Sequence, residues 1–445
     1  MAKGLDGFRE GVVAVGCEAI RRADAAINLG AQTFSGVSDV VGHLKEEALN
    51  LIRNRVISPK TMETTKGLVT RSPKGIHPDK QWAWENILGV PAIFFEMLEG
   101  VYSIKDMPDH LPQINAIVDQ IAQHCAEKSE GAVGCEDDEK PSRPRIYVAG
   151  EGSSIAMPGA LATKFGKNVE NATVESLCCA EVNNVKAEDT VIILSNSGKT
   201  DTAVKLAERA KEVGALVVGI TKDSNSELAK ICGEENTVVL HCGEEKAVGA
   251  TKSVVEQCFV VSEMIRGVAG DKSPEDYEAL SKMYESALTQ HISPEMIRKI
   301  SSARELVIIG REGVHREAAL KVAETIGVKV RIIDTSFALH GDEETFSDGD
   351  VVLFIEPDNV KVPKIEEHIA SRVPVFYFGP KVRNIEPYLA HGQVITTPRG
   401  GNYQPVMNLG VLQNLLVRLA VYKGSKCVPD HARKVGDPVA PTVSA

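Results

Sequence analysis

Short apolar runs alternate with amphipathic helical patterns along most of residues 145–422, and this alternation restricts the possible fold more than any other feature of the sequence. Runs such as VIIL (191–194) and ELVIIG (305–310) are short, rich in β-branched residues and bounded by turn-forming residues. Apolar strands that alternate with helices are typical of a parallel sheet covered on both faces by helices. We therefore predict an α/β fold.

The strand and helix patterns occur in two successive sets of similar order, which predicts two tandem α/β domains. A chain of 445 residues is also too long for one ordinary core. We predict a helical N-terminal extension at residues 1–80, a first domain at 81–285 and a second at 286–445, each domain a mostly parallel sheet flanked by helices. The predicted strands cover residues 145–149, 191–195, 215–221 and 236–241 in the first domain, and 305–310, 329–334, 350–356, 373–379 and 393–398 in the second.

Two loops of the first predicted domain are rich in hydroxyl and amide side chains. GEGSS (150–154) and SNSGKTD (195–201) each lie where a predicted strand ends and a helix begins. In open α/β sheets, ligands bind beyond these strand ends, and helix N-termini favour anions. The second domain has EPDNVKV at the corresponding place, without a serine. The loops predict one phosphate site, in the first domain, with these candidate residues: Ser153, Ser154, Ser195, Asn196, Ser197 and Thr200.

These loops have two other interpretations. Ser195, Ser197 and Thr200 could merely cap the following helix. The Gly-Glu-Gly of the first loop also begins a dinucleotide fingerprint, but the third glycine of that pattern falls on Ile155. We reject the dinucleotide interpretation because it leaves the hydroxyl groups unexplained.

Composition and charge exclude several classes of protein. The net charge of −11 and the pI of about 5.6 argue against a nucleic-acid partner. The sequence has no apolar run of the roughly 20 residues that a membrane span needs, and its N-terminus lacks the apolar core of a secretory signal. The nine cysteines form no CxxC pair, which favours free thiols over disulfides or a zinc site. We expect a cytoplasmic protein that binds no membrane.

A predicted helix of the second domain carries two carboxylates and an amine on one face. Glu317, Lys321 and Glu324 are spaced i, i+4 and i+7. In isolation this pattern is typical of a solvent-exposed ion-pair stripe, but the apolar strands on either side predict that the helix is mostly covered. Such a face can hold a general base whose pKa the amine adjusts. His340 follows sixteen residues after Glu324, although a lone histidine is more often structural than catalytic.

Together these motifs resemble the sugar isomerase (SIS) family. SNSGKTDT, the preceding GEGSS and the following EEKAVGATKSVVEQ (244–257) carry the resemblance, which covers roughly residues 80–436. The paired arrangement resembles the isomerase half of glucosamine-6-phosphate synthase and the fructosamine-6-phosphate deglycases. The resemblance implies tandem SIS domains whose hydroxyl loops hold a sugar phosphate, and it implies no metal or organic cofactor.

The resemblance also implies roles for the helical motif and for the VGAT segment. Glu324 matches the base that moves a proton between sugar C1 and C2, and Glu317 and Lys321 complete its motif. Val248 and Ala250 match positions beside the substrate. Their neighbourhood departs from the family in one respect, because the family's usual serine is replaced by Ala250.

Two further matches lie nearer the C-terminus. His340 matches the ring-opening histidine that the family contributes across a dimer interface, which implies a homodimer or a higher homo-oligomer with shared active sites. Lys434 stands five residues after Pro429, like the lysine that forms a Schiff base with the open ketose. Asp342 replaces the usual proline after His340, and the acidic DEE (342–344) suggests selection of a cationic substituent such as an amine.

Glucosamine-6-phosphate synthase also has a glutaminase domain, which this sequence is not expected to contain. The chain starts Met1-Ala2-Lys3, and its first 80 residues have helical periodicity, so we expect no glutamine hydrolysis. We predict a phosphosugar aldose–ketose isomerase that acts by proton transfer between C1 and C2. The alternatives are a deglycase or deaminase that cleaves a C–N bond, and a non-catalytic sugar-phosphate sensor. The presence of Glu324 and His340 disfavours the sensor.

Overall fold

The computed structural model describes residues 96–97, 99–130, 143–243, 245, 250–311, 313–335, 338, 345–355, 369–380 and 392–423, with only the helical backbone at 128–130 and 421–423. The predicted N-terminal extension at 1–80 lies outside these residues. Two five-stranded parallel sheets form the described part of the chain, and helices flank both of them. The prediction of a tandem α/β fold is therefore confirmed, while the predicted domain boundaries stay predictions.

The first sheet has the strand order β2-β1-β3-β4-β5. Its elements and the helices around it are α1 (Met107–Glu130), β1 (Arg145–Gly150), α2 (Ser153–Ala156), α3 (Pro158–Gly166), β2 (Thr173–Cys178), β3 (Thr190–Leu194), α4 (Asp201–Glu212), β4 (Leu216–Thr221), α5 (Glu227–Cys232), β5 (Thr237–Val239) and α6 (Lys252–Val268).

The second sheet has the order β7-β6-β8-β9-β10, which is the same arrangement with β6 in the place of β1. Its elements and the helices around it are α7 (Tyr277–Leu288), α8 (Pro294–Ser301), β6 (Leu306–Gly310), α9 (Val314–Ile326), β7 (Val330–Asp334), β8 (Val351–Ile355), β9 (Val375–Gly379), β10 (Gln393–Thr396) and α10 (Gln404–Lys423).

The strand order places the two hydroxyl-rich loops side by side. β1 pairs with β2 on one side and with β3 on the other, so the order of connection reverses between β1 and β3. Gly150 at the end of β1 is in register with Leu194 at the end of β3. GEGSS and SNSGKTD therefore leave the sheet at adjacent points, where ligands of open α/β sheets bind.

The structure differs from two sequence-based expectations. The predicted helix at 154–165 is two helices, α2 and α3, because Pro158 has no N–H group for a continuous helix and its ring obstructs the preceding turn. Strand β2 was not among the predicted strands. Its sequence, TVESLC, is mixed in polarity because β2 is a partly exposed edge strand.

Both sheets contribute to one apolar core. The largest buried cluster contains Ile146 and Ile192 from the first sheet and Ile308 and Leu353 from the second. The ring of Phe259 in α6 stacks on Tyr403, just before α10, with ring centroids 4.6 Å apart. Helices α6, α9 and α10 thus lie between the sheets and join them.

Among the helices in the described part of the chain, none combines the length and the apolarity that crossing a membrane requires.

Candidate active site

The SNSGKTD loop forms a tight turn immediately after β3 and is held by hydrogen bonds within the loop. The hydroxyl oxygens of Ser195 and Thr200 lie 3.0 Å apart, and the backbone N–H of Gly198 donates to Ser195 Oγ at 3.1 Å. Gly198 has φ +63°, and a Cβ there would lie only 2.2 Å from Ser226 Oγ. Only glycine satisfies both conditions, so Gly198 fixes the path of the loop.

The helix-capping interpretation fails for Thr200. This residue occupies the N-cap position of α4, but its side chain accepts no hydrogen bond from the N–H groups of that helix. Its hydroxyl meets Ser195 instead, and exposed Ser197 accepts a hydrogen bond from the backbone N–H of Lys199 at 3.3 Å. Because the Thr200 side chain caps none of them, the first N–H groups of α4 remain available to an anion.

A hydrogen bond joins the two hydroxyl-rich loops. Thr202 Oγ1, in the first turn of α4, donates to Glu151 Oε1 at 2.9 Å. In the GEGSS loop, Gly152 has φ +55°, Ser153 is buried and Ser154 is partly exposed. The predicted phosphate-binding residues therefore lie in two loops that are in direct contact.

A carboxylate that sequence analysis did not select lies beside these loops. Glu245 accepts hydrogen bonds from the backbone N–H groups of Thr251 at 2.8 Å and Ser253 at 3.1 Å, at the start of α6. The carboxamide of Asn196 also donates to Glu245, at 3.4 Å. The EEKAVGATKS stretch offered a weak signal, because three charged residues in a row do not indicate which of them faces inward. Partly exposed Ala250 adjoins this group.

The acid–amine–acid motif lies on α9 and is mostly buried, as predicted. Lys321 Nζ lies 2.8 Å from Glu324 Oε2 and 3.6 Å from Glu317 Oε1. Glu317 is fully buried and lies beside Lys321 and the hydroxyl of Ser153. Glu324 is partly exposed, with 27% of its side chain accessible, so it is the member of the motif that a substrate can reach.

The electrostatic environment differs between the members of this motif. Burial raises the pKa of Glu317 above its usual value, against the weaker opposing effects of Lys321 and the Ser153 hydroxyl. Burial also disfavours the charge of Lys321, but the carboxylates of Glu317 and Glu324 outweigh this effect and raise the pKa of Lys321. A buried carboxyl group with a raised pKa thus lies beside an amine whose pKa is also raised.

Helix α9 of the second sheet packs directly on the GEGSS loop of the first. A Cβ at Gly313, which precedes α9, would lie 2.0 Å from the carbonyl oxygen of Ala156, and a Cβ at Gly152 would contact Leu320 at 3.7 Å. The motif also interacts with the GEGSS loop, through Glu317 and the hydroxyl of Ser153, and Lys321 interacts electrostatically with Glu245, which lies beside the loops. The two predicted parts of the site therefore meet at the interface between the two halves of the chain.

Three predicted site residues, His340, Lys434 and Val248, lie outside the described residues, and so does the acidic stretch 342–344. Their roles stay predictions. Within the described chain, the structure brings together the hydroxyl loops and the α9 motif.

This fold and this loop geometry correspond to a known class of domain. Residues 141–265 match the family model of the SIS domain. This matched stretch includes all five strands of the first sheet, and the second sheet repeats the strand order of the first.

Two known proteins are similar in sequence to part of this chain. Glutamine–fructose-6-phosphate aminotransferase (isomerizing) from Chlorobaculum tepidum is 28% identical over 155 residues, which are 32% of this chain and 25% of that protein. N-acetylmuramic acid 6-phosphate etherase from Streptomyces coelicolor is 27% identical over 157 residues, which are 32% of this chain and 49% of that protein. The matched segments thus span between a quarter and about half the length of these relatives.

A solved structure shares this fold over a larger part of the chain than those sequence matches cover. The crystal structure of tagatose-6-phosphate ketose/aldose isomerase from Escherichia coli superimposes with a TM-score of 0.56 at 14% sequence identity, covering 80% of this chain and 95% of that one. At this identity the similarity concerns the fold alone.

Proposed function

We propose that this protein is a phosphosugar aldose–ketose isomerase that moves a proton between C1 and C2 of a sugar phosphate. The observation that carries the proposal is the packing of α9 on the GEGSS loop, which puts a carboxylate–amine motif beside two hydroxyl-rich loops. The names of two similar proteins, an isomerizing aminotransferase and a ketose/aldose isomerase, agree with this chemistry.

In this proposal, the phosphate of the substrate binds to the hydroxyl loops. Ser195 and Thr200 supply hydroxyl donors, and the first N–H groups of α4 supply backbone donors and the positive end of the helix dipole. The binding energy of the phosphate then holds the other end of the sugar against α9. Ser153, Ser154, Asn196 and Ser197 complete the proposed phosphate site, with Val248 and Ala250 beside the sugar.

Glu324 is the proposed base. It removes a proton from one of the two carbons, which gives a cis-enediolate, or an enamine if a Schiff base has formed. After exchange with water it delivers a proton to the neighbouring carbon, while a second proton moves between the C1 and C2 oxygens. Lys321 holds the Glu324 carboxylate in place through the 2.8 Å ion pair, and buried Glu317 lies on the other side of the amine. His340 would assist ring opening, and Lys434 would act as a Schiff-base nucleophile or as a cation that stabilises the enediolate.

The direct test is proton exchange followed by NMR in deuterated water. Purified protein is incubated with hexose 6-phosphates, glucosamine 6-phosphate and fructosamine 6-phosphates, and deuterium at C1 or C2 is measured. We expect deuterium incorporation that Glu324→Gln abolishes and that Glu208→Gln, on the exposed side of α4, leaves unchanged. Substrate binding without any exchange would contradict the proposal and favour a sugar-phosphate sensor.

Cleavage of a C–N bond is the second candidate function. A deglycase or deaminase begins with the same proton transfer, and the similarity to an isomerizing glutamine–fructose-6-phosphate aminotransferase is the observation that favours it. In the same incubations, release of an amine or ammonia together with deuterium incorporation would identify this reaction, and ketose formation without amine release would identify the isomerase.

We also propose that two copies of the chain share their active sites. Mixing Glu324→Gln with His340→Ala would then restore part of the activity that each variant lacks alone, because a mixed dimer contains one intact site. No recovery after mixing under conditions that exchange subunits would contradict shared sites.

A further inference from the structure

A cluster of metal-ligand side chains shares no residue with the proposed catalytic motif. His110 comes from α1, His241 from the segment that follows β5, and Glu256 from α6. One nitrogen of each imidazole and one carboxylate oxygen all lie within 4.8 Å of one another. The three residues come from distant parts of the sequence, with 146 positions between His110 and Glu256 and 15 between His241 and Glu256, so no sequence motif predicted them.

Two of the three side chains are held firmly. Glu256 is completely buried and His110 is 2% exposed, and His110 Nε2 lies 2.7 Å from Glu256 Oε1. The Glu256 carboxylate also accepts hydrogen bonds from the backbone N–H groups of His241 at 2.6 Å and Cys242 at 2.8 Å. These contacts orient the carboxylate before any ligand arrives, as the surroundings of metal ligands usually do.

The third side chain faces solvent. His241 is exposed, and its ring stacks on that of His110 with centroids 3.9 Å apart and an angle of 24° between the planes. An exposed imidazole can rotate at little cost, so His241 can turn its nitrogen toward the other two ligands. The cluster is therefore open to ions from solution on the His241 side and closed on the Glu256 side.

A second carboxylate adds to the negative field of the cluster. Asp106 stands one helical turn before His110 and interacts electrostatically with His110, His241 and Glu256. With two carboxylates and two imidazoles in one place, a divalent cation balances the local charge. Imidazole nitrogen together with carboxylate oxygen suits Zn²⁺ and similar transition-metal ions better than Mg²⁺ or Ca²⁺.

We propose that His110, His241 and Glu256 bind one divalent transition-metal ion per chain, with Zn²⁺ as the best fit. Two ligands of tetrahedral Zn²⁺ lie about 3.3 Å apart, given bond lengths of about 2.0–2.1 Å. The 2.7 Å contact between His110 and Glu256 therefore widens slightly on binding. Metal binding through His110 Nε2 requires the proton on that nitrogen to move to Nδ1 of the same ring or, if both nitrogens are protonated, to bulk water, and a water molecule fills the remaining coordination position.

The position of this metal gives it a structural role in the proposed catalytic site. His241 lies four residues before Glu245, whose carboxylate holds the start of α6 beside Asn196. A metal bound to His241 and to Glu256 in α6 fixes both ends of the segment that carries Glu245. The metal site itself does not depend on the proposed isomerase function.

The test uses the full chain, stripped of metal with EDTA and dialysed into a buffer that does not chelate. Titration with ZnCl₂ in a calorimeter should show one high-affinity site per chain that a large excess of Mg²⁺ does not occupy. His241→Ala removes an exposed ligand and should weaken Zn²⁺ binding about 100-fold. Loss of a residue that only hydrogen-bonds a metal ligand weakens metal binding by up to about that factor, so loss of a ligand itself should cost at least as much. The matched control is His291→Ala, an exposed histidine elsewhere in the described chain.

The absorption spectrum of the protein with bound Co²⁺ distinguishes this site from adventitious metal binding to cysteine. Cobalt at His110, His241 and Glu256 should give visible d–d absorption without the near-ultraviolet thiolate bands that a cysteine ligand produces. The proposal is overturned if the parent protein shows no stoichiometric Zn²⁺ site, if His241→Ala binds as tightly as His291→Ala, or if thiolate bands dominate. The cluster would then be a hydrogen-bonded junction between α1 and α6 only.

Discussion

Lys321 Nζ lies 3.6 Å from Glu317 Oε1, and both side chains are almost completely removed from solvent on the inner face of α9. Despite this nearby positive charge, the pKa of the Glu317 carboxyl is raised above its usual value, because the effect of burial exceeds that of the amine. The relationship between these two residues makes the stability of the protein depend on pH in a way that can be measured.

The first prediction concerns Glu317→Gln. A carboxyl group whose pKa is raised on folding stabilises the folded state at low pH, and that contribution is lost as pH rises from the unfolded value of 4.5 through the higher folded pKa. The free energy of unfolding of the parent should therefore fall relative to Glu317→Gln over this interval, by about 1.4 kcal/mol for each pH unit between the two pKa values.

Urea unfolding of both proteins at several pH values measures this difference, with Glu208→Gln as the exposed control. A difference between Glu317→Gln and the parent that stays constant with pH, or that changes in the opposite direction, would show that folding does not raise the pKa of the Glu317 carboxyl.

The second prediction separates steric crowding from backbone strain in the SNSGKTD loop. Gly198 and Gly327 both have φ +63°, but a Cβ at Gly198 meets Ser226 and Thr221, whereas one at Gly327 has nothing within 4 Å. Gly327→Ala should cost about 1 kcal/mol of stability through strain alone. Gly198→Ala should cost clearly more, by about 1–3 kcal/mol of overpacking.

Thermal or urea unfolding of the two variants gives these values directly. In the proposed enzyme, Gly198→Ala should also weaken binding of the sugar phosphate, and Gly327→Ala should not. Equal losses of stability in the two variants would mean that the loop accommodates a methyl group by a small shift.

The third prediction tests the role of the Thr200 hydroxyl. Because this hydroxyl does not cap α4, Thr200→Ala should lower stability by less than the roughly 1 kcal/mol that loss of a true cap costs. Ser293→Ala is the matched control, since Ser293 Oγ accepts a hydrogen bond from the N–H of Met296 at 3.1 Å and caps α8. Thr200→Ala should instead reduce affinity for the sugar phosphate by about tenfold, because it removes a donor to a charged group.

Unfolding curves and calorimetric titration with the best substrate of the panel provide both numbers. A large loss of stability with unchanged affinity for the sugar phosphate would show that the Thr200 side chain caps α4 instead.

The fourth prediction concerns Glu245. Its carboxylate accepts the N–H groups of Thr251 and Ser253 at the positive end of the dipole of α6. Glu245→Gln keeps an acceptor oxygen but removes the charge, so it should lower the free energy of unfolding by about 0.5–1 kcal/mol. The effect should shrink as salt is added, whereas Glu234→Gln, outside this contact, should have little effect at any salt concentration.

The sequence alone predicts much of this fold because strands buried on both faces leave a strong pattern. β3 and β6 have every residue buried and stand out as apolar runs. β2 leaves no such pattern, because an edge strand with one partly exposed face mixes polar and apolar residues. Pro158 could have indicated the break between α2 and α3, since proline removes the N–H group that a continuous helix needs.

Some residues of the candidate site could likewise be predicted from the sequence, and others could not. Ser195 and Thr200 lie in a short motif, and Glu317 and Lys321 share one helix face, so spacing alone indicates that the members of each pair lie close together. The position of Glu245 depends on how a long connection folds back on the start of α6, and local spacing contains no information about that. The cluster of His110, His241 and Glu256 likewise exists only because α1 packs on α6.

The shared core has a consequence for how this protein can be divided. Phe259 and Tyr403 stack between α6 and the segment before α10, and Gln413 in α10 donates to the carbonyl of Thr251 at the start of α6. Among the described residues, the inner helices of each half are buried partly against the other half. We therefore expect a fragment that ends after α6 to expose an apolar face to water and to aggregate, so that the two sheets, although similar in order, have to fold together.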